Sequence, residues 1–124
     1  SRSLRRAELG QREEPNMHQF QSTSGALREV EYSEVLRVPA MSVGTYYLPV
    51  GAIDPQGPHT EDEIYVILEG RGILRTESGD GVAVPGAALF VPAGERHSFT
   101  EITESLFMYV IFSPAEGTNA RAEQ

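Results

Sequence analysis

The chain has 124 residues, of which 40% are hydrophobic and 23% charged, and this length and composition predict one globular domain with one core. Its formal net charge of -8 argues against nucleic acid and anionic membranes as partners. Cysteine is absent, which excludes disulfides, thiolate catalysis and metal sites with cysteine ligands.

The two ends of the chain are predicted to lie outside the core. Residues 1–30 form a polar, partly flexible arm in which arginines alternate with glutamates, and its last part, residues 22–30, predicts a short helix capped by Ser22 or Ser24. Residues 114–124 are rich in alanine, glutamate and glycine and predict a loose C-terminal tail. The domain proper is therefore expected over residues 31–113.

Between these ends the pattern is that of an all-β protein. Apolar residues alternate with polar ones in short runs that Gly and Pro separate, which is typical of a sandwich or a small barrel with about eight or nine strands. Gly44 suggests a bulge or a close backbone approach, Gly70–Gly72 a tight reversal, and Ser78–Gly81 a hairpin. The predicted strands are Val35–Val38, Ser42–Leu48, Glu63–Glu69, Ile73–Glu77, Val82–Val84, Ala88–Val91, Ser98–Thr100 and Leu106–Phe112.

Two histidines and a carboxylate stand where strands begin. His59 precedes Glu63 by four residues, and Glu63 opens the apolar run that ends before Gly70. His97 follows a turn and opens the strand Ser98–Thr100. Imidazole nitrogen and carboxylate oxygen on rigid backbone are the donors that a metal site requires.

The spacing of these residues resembles the two motifs of the cupin family. Six residues separate Glu63 from Gly70, with His59 at the second-histidine position, and a second motif follows in the order Gly86, Pro92, Gly94 and His97. The resemblance implies a double-stranded β-helix, the cupin jelly-roll barrel, in which His59, Glu63 and His97 converge on one divalent metal ion. Iron, manganese, zinc and nickel all suit such ligands. The alternative is a degenerate barrel that binds no metal.

The first motif departs from the family at one position. Gly57 stands where the first histidine is expected and supplies no ligand. The amide oxygen of the adjacent Gln56 is able to replace it, or Gln56 is a plain loop residue, and both interpretations remain open. Glu61 and Asp62 are expected to face solvent, because the family places a turn between the second histidine and the glutamate.

The pocket is predicted from strand alternation. Tyr65 and Ile67 share the face of Glu63, and Phe99 shares that of His97. Glu63 is interpreted as a permanent metal ligand, or else as a displaceable base, and Tyr65 as a second catalytic candidate. Arg71, Arg75 and Arg96 are the candidates for holding an anionic substrate, but Arg75 and Arg96 are expected to point to solvent. The lining is completed by Tyr46 or Tyr47, by Phe90 and by Met108.

Three classes of function are compatible with this pattern. The resemblance implies first a metal-dependent enzyme acting on a small oxygen-rich or aromatic metabolite, of the dioxygenase, isomerase, lyase or cyclase type. The second is a non-catalytic small-molecule-binding barrel, and the third a purely structural role in dimer formation. A homodimer is expected by similarity to small cupins, with Val35–Val38 crossing to the partner. The Arg-rich N-terminus lacks an apolar segment, which favours a cytoplasmic location.

Overall fold

A computed structural model describes residues 17–55 and 57–122. This part of the chain forms an all-β fold, as the sequence predicts, with one short helix after the last strand. None of its helices is long and apolar enough to cross a membrane. The elements are β1 (Glu31–Val38), β2 (Met41–Leu48), β3 (Asp62–Thr76), β4 (Gly79–Ala83), β5 (Ala88–Val91), β6 (His97–Ser113) and α1 (Thr118–Ala122).

Every strand pair is antiparallel, and two long strands dominate the pairing. The order is β1-β2-β6-β3-β4, while β5 pairs with the first half of β3 and β4 with its second half. The strands β3 and β6 pair with each other from end to end. The hairpin predicted near Ser78 is confirmed, since Thr76 pairs with Gly79 across a two-residue turn.

The ladder between β3 and β6 closes on itself. Glu63 pairs with Phe112 at one end and Thr76 with His97 at the other, so Glu63 and His97 would stand about 40 Å apart in a flat sheet. Their side chains are instead 3.1 Å apart, from Glu63 Oε1 to His97 Nε2. The sheet therefore rolls into a barrel, the double-stranded β-helix predicted above, and this roll brings the two half-sites together.

The tight reversal predicted at Gly70–Gly72 is wrong. β3 continues through these residues, and its register against β6 shifts there. Gly70 adopts a φ of 98°, and a Cβ at this position would lie 2.1 Å from the backbone oxygen of Ser105. The glycines therefore bend a continuous strand where it passes close to β6. The predicted strands Ser98–Thr100 and Leu106–Phe112 are likewise parts of the single strand β6.

Burial follows strand alternation, with one correction. Glu63, Tyr65 and Ile67 point into the barrel, as predicted. Phe90 does not line the pocket: it is 61% exposed, because β5 turns its neighbours Leu89 and Val91 inward instead. The largest apolar side chains of the core are Tyr65, Phe99, Phe107, Phe112, Leu48, Ile67, Leu74, Leu106 and Met108.

The ends of the chain also differ from expectation. The helix predicted over residues 22–30 is not formed; the segment has one turn, and Phe20 packs edge-on against Tyr109 with ring centroids 5.9 Å apart. The first 16 residues of the predicted arm lie outside the described residues. The domain limits at residues 30 and 113 stay predictions.

The C-terminal segment is held by a buried carboxylate. Glu61 is only 2% exposed, which corrects the expectation that it faces solvent. Its two oxygens accept hydrogen bonds from the backbone N–H groups of Gly117 (2.9 Å) and Asn119 (2.8 Å). Burial raises the pKa of Glu61. The hydrogen bond from the Thr60 hydroxyl and the two backbone hydrogen bonds together outweigh this effect, so that the pKa lies below its ordinary value. Residues 114–120 are thus fastened to the barrel.

Candidate metal centre

Three side chains converge inside one end of the barrel. His59, Glu63 and His97 each offer one donor atom, and these atoms lie within 4.8 Å of one another. His59 comes from the loop before β3, Glu63 from β3 itself and His97 from the first position of β6. The sequence analysis named all three as metal ligands.

The loop that carries His59 is fixed by polar contacts. Asp54 accepts hydrogen bonds from the Tyr46 hydroxyl (2.6 Å) and from the Phe99 backbone N–H (2.8 Å). The backbone N–H of Gly94, in the turn before His97, donates to the carbonyl oxygen of His59 (2.8 Å). The two half-sites therefore position each other directly.

Asp62 makes a further link between these two loops. It is exposed, as predicted, and its Oδ1 accepts a hydrogen bond from the Ala93 backbone N–H (2.9 Å). A carboxylate on one loop thereby satisfies a backbone donor on the other. This contact and the bond from Gly94 to His59 stabilise the same junction.

His97 is held in the tautomer that binds metal. Its Nδ1 lies 2.9 Å from the carbonyl oxygen of Glu95, which can only accept, so Nδ1 carries the proton. Its Nε2 faces Glu63 Oε1 at 3.1 Å and the Tyr65 hydroxyl at 2.9 Å. Burial lowers the pKa of His97. The hydrogen bonds to Glu63 and Glu95 outweigh this effect, so that the pKa lies above its ordinary value.

The hydrogen bonding of Glu63 indicates whether a cation suits this site. It is 2% exposed, and its Oε1 faces His97, whereas Oε2 is buried with no hydrogen-bond partner among the described residues. The nearest ring nitrogen to Oε2 is Nε2 of His59, at 4.0 Å. A buried carboxylate oxygen without a donor is costly unless a positive charge compensates it. The three side chains therefore fit a divalent metal ion.

The other predicted site residues divide into two groups. Gln56, the candidate fourth ligand, lies outside the described residues. Tyr65 is fully buried, with its hydroxyl beside His97 and its ring edge-on to Phe99, centroids 4.8 Å apart. Arg75 and Arg96 lie on the exposed outer surface, where Arg75 pairs with Asp80 and Glu101.

A cavity of about 300 Å³ adjoins the centre at His59. The residues that surround it come from β1 and the residue before it, from β2, from the loop before β3, from β6 and from the C-terminal segment. They combine aromatic rings with carboxylates. Its lining includes Tyr32, Tyr46, Phe112, Glu31, Glu116 and His59 itself.

Sequence reasoning missed three carboxylates that shape this region. Asp54 was interpreted as part of a turn, Glu61 as solvated, and Glu116 as part of a loose tail. Glu116 Oε2 in fact lies 3.9 Å from Nδ1 of His59. Apart from the bond between Glu61 and the adjacent Thr60, their contacts join positions from 8 to 79 residues apart, which no local pattern marks.

Comparison with known proteins agrees with this architecture. The profile of the cupin domain family matches residues 44–112. The uncharacterized protein SCO3923 of Streptomyces coelicolor is 38% identical over 91 residues, 73% of this chain and 87% of that protein.

Solved structures with lower identity share the fold. An RmlC-like cupin from Desulfovibrio desulfuricans has a TM-score of 0.67 at 19% identity, covering 80% of this chain and 99% of its own. The DMSP lyase DddQ of Ruegeria pomeroyi has a TM-score of 0.65 at 19% identity, over 75% of this chain and 51% of the lyase. On its family match and its full-length relative, this chain belongs to the cupin domain family.

Proposed function

We propose that this protein binds one divalent metal ion through His59, Glu63 and His97 and is a metal-dependent enzyme for a small molecule bound in the adjoining cavity. The observation that carries the proposal is the carboxylate of Glu63, which lies beside the imidazoles of His59 and His97 and whose buried Oε2 has no hydrogen-bond donor among the described residues. Two imidazole nitrogens and one carboxylate would hold a divalent ion and leave coordination positions for water or substrate.

The roles of the protein groups follow from their positions. A bound ion supplies Lewis-acid polarisation of substrate oxygens. His59 belongs both to the ligand group and to the cavity wall, so a ligand in the cavity would lie beside the centre. Glu95 fixes the tautomer of His97 through its carbonyl oxygen, and Glu63 supplies the negative charge. Gln56 remains a candidate for a further ligand.

Tyr65 is the proposed proton-transfer group. Its hydroxyl lies 2.9 Å from Nε2 of His97, inside the barrel and shielded from solvent. A protic group at this place suits isomerase or lyase chemistry, in which a proton moves on or off a polarised substrate. The DddQ neighbour is named a lyase and uses the same fold, which supports only the compatibility of the fold with such chemistry. Dioxygenation is the alternative reaction type.

The first experiment measures metal. Protein purified without an affinity tag or added metal is analysed by elemental mass spectrometry, beside His59→Ala, His97→Ala and the surface control His18→Ala. We expect near-stoichiometric metal in the wild type and the control and its loss in both ligand variants. Absence of metal from the wild type even after reconstitution would refute the proposal. Oxygen uptake with candidate substrates then separates dioxygenation from non-redox reactions.

The alternative is a barrel that binds a small molecule without turnover, and the aromatic lining of the cavity is the feature that favours it. Tyr65→Phe separates the two functions. In an enzyme this change lowers turnover by about 10²-fold or more while metal content stays unchanged. A carrier shows no turnover in either protein and the same ligand affinity in both.

The proposal includes assembly as a homodimer through β1. This strand is an edge of the sheet, and its exposed apolar residues include Val35 and Val38, followed by Met41 at the start of β2. Such an edge favours pairing with a second copy. Light scattering at several concentrations tests it, and a monomer throughout would reject it.

A further inference from the structure

We propose that the small molecule bound in the cavity beside His59 carries a positive charge, and that Glu116 is the specificity-determining residue that selects it. The inference rests on the proposed function, because it names the class of ligand for that same site. It concerns the end of the cavity away from Glu63.

The charges of the cavity wall point to a cation. Glu31 and Glu116 line the cavity, and no arginine does so among the described residues. The guanidinium of Arg37, beside Glu116, is occupied: it pairs with Glu34 at 3.0 Å and donates to the carbonyl oxygen of Glu116 at 3.0 Å. Away from the metal centre, a carboxylate or phosphate on the ligand would therefore meet like charges and no arginine of the lining.

The apolar part of the wall suits the same ligand. Three aromatic rings, Tyr32, Tyr46 and Phe112, line the cavity together with the two carboxylates. Aromatic faces attract organic cations through the negative potential above the ring. Burial raises the pKa of Tyr32, and the carboxylates of Glu116, Glu34 and Glu63 raise it further, as expected where the potential is negative.

Two of these rings are held in place by specific contacts. A Cβ at Gly44 would lie 2.3 Å from the end of the Tyr32 ring, so this ring packs directly on the glycine backbone, the close approach that the sequence suggested. The Tyr46 hydroxyl donates to Asp54, and burial together with this bond raises the pKa of Tyr46. Specific contacts within the protein therefore hold these two aromatic rings of the cavity wall in place.

Hydrogen bonds of the backbone also hold Glu116 in place. Its backbone N–H donates to Oγ of the buried Ser42 (2.9 Å), its carbonyl accepts from Arg37, and the next residue, Gly117, donates to Glu61. Its side chain is 35% exposed and faces His59. Glu116 lies in the C-terminal segment, beyond the residues 44–112 that match the family profile.

The test uses three probes of nearly the same shape and different charge. These are choline, its neutral isostere 3,3-dimethylbutan-1-ol and the anion 3,3-dimethylbutanoate, titrated by calorimetry or ligand-observed NMR. In the chelator-treated protein we expect choline to bind about tenfold more tightly than the neutral isostere and the anion to bind weakest. The preference should fall to less than about threefold in Glu116→Gln. Glu104→Gln, an exposed carboxylate on β6 outside the cavity lining, is the matched control and should keep it.

Each titration is done on metal-loaded and on chelator-treated protein, with metal content measured on the same samples. Equal affinity for the three probes or a preference for the anion in the chelator-treated protein, or no choline binding up to about 10 mM in either form, would overturn the inference. A charge preference unchanged in Glu116→Gln would overturn the role of that residue. Loss of metal binding with the charge preference intact would instead contradict the proposed enzyme and leave the cation pocket standing.

Discussion

Glu61 and Glu63 are two buried carboxylates, two positions apart, with opposite hydrogen-bond environments. Both are 2% exposed. Glu61 receives backbone donors on both oxygens, from Gly117 and Asn119, whereas Oε2 of Glu63 receives none from the part of the chain that the structure describes. We infer that Glu61, whose hydrogen bonds are made within the chain, stabilises the fold. Glu63, whose Oε2 lacks such a bond, is suited to bind a ligand.

The two residues should therefore separate stability from metal binding. Glu61→Gln removes an acceptor from backbone N–H groups and is expected to lower the free energy of unfolding by about 1–3 kcal/mol while metal binding persists. Glu63→Gln is expected to abolish metal binding and to destabilise the metal-free protein less than Glu61→Gln does. Urea unfolding in chelator, with metal titration of both variants, measures the two effects. Equal metal affinity in the two variants would contradict the assignment.

The candidate ligands could be found in the sequence and their supports could not. His59, Glu63 and His97 stand at fixed distances from particular glycines and prolines, and such local spacing is visible in a sequence. Glu61 and Glu116 act through contacts between distant parts of the chain, such as Glu116 with Ser42. A glutamate in a polar stretch looks solvated until the fold brings it a partner.

At the scale of elements, the strands were located correctly but divided wrongly. Gly70 and Gly72 were interpreted as a reversal, because glycines between two apolar runs usually make a turn. In the barrel these glycines allow β3 to bend and to approach the backbone of β6 closely at Ser105. The bend depends on the partner strand, which is why the local sequence does not specify it.

Gly70→Ala should therefore be more harmful than an ordinary glycine substitution. Gly70 and Gly86 have similar φ values, 98° and 93°, but a Cβ at Gly70 would collide with the backbone of Ser105, whereas one at Gly86 has nothing within 4 Å. We expect Gly86→Ala to cost about 1–3 kcal/mol, the conformational strain alone, and Gly70→Ala at least ~2 kcal/mol more. Thermal and urea unfolding compare them. Similar losses would mean that β6 moves aside freely.

For the whole molecule, the roll of the sheet joins the stability of the barrel to the occupancy of its centre. Glu63 and His97 lie at opposite ends of the β3–β6 ladder. An ion bound by both would therefore also link the two ends of the ladder. Unfolding must separate them and release the ion. Metal binding is therefore expected to appear as an increase in global stability and not only as a local change.

This coupling can be measured as a shift in melting temperature. At a free metal concentration 100 times the Kd, binding to the folded state alone adds about 2.7 kcal/mol, which for a domain of this size raises the Tm by about 10 °C. Calorimetric scans with manganese, iron(II), nickel and zinc should show such a shift for at least one ion, chelator should reverse it, and magnesium, which prefers oxygen ligands, should produce little. His97→Ala should melt at one temperature with or without metal, since it removes one end of the fastening. A shift of equal size in His97→Ala would show that the ion binds elsewhere, for example among the surface carboxylates, and that the barrel closes without it.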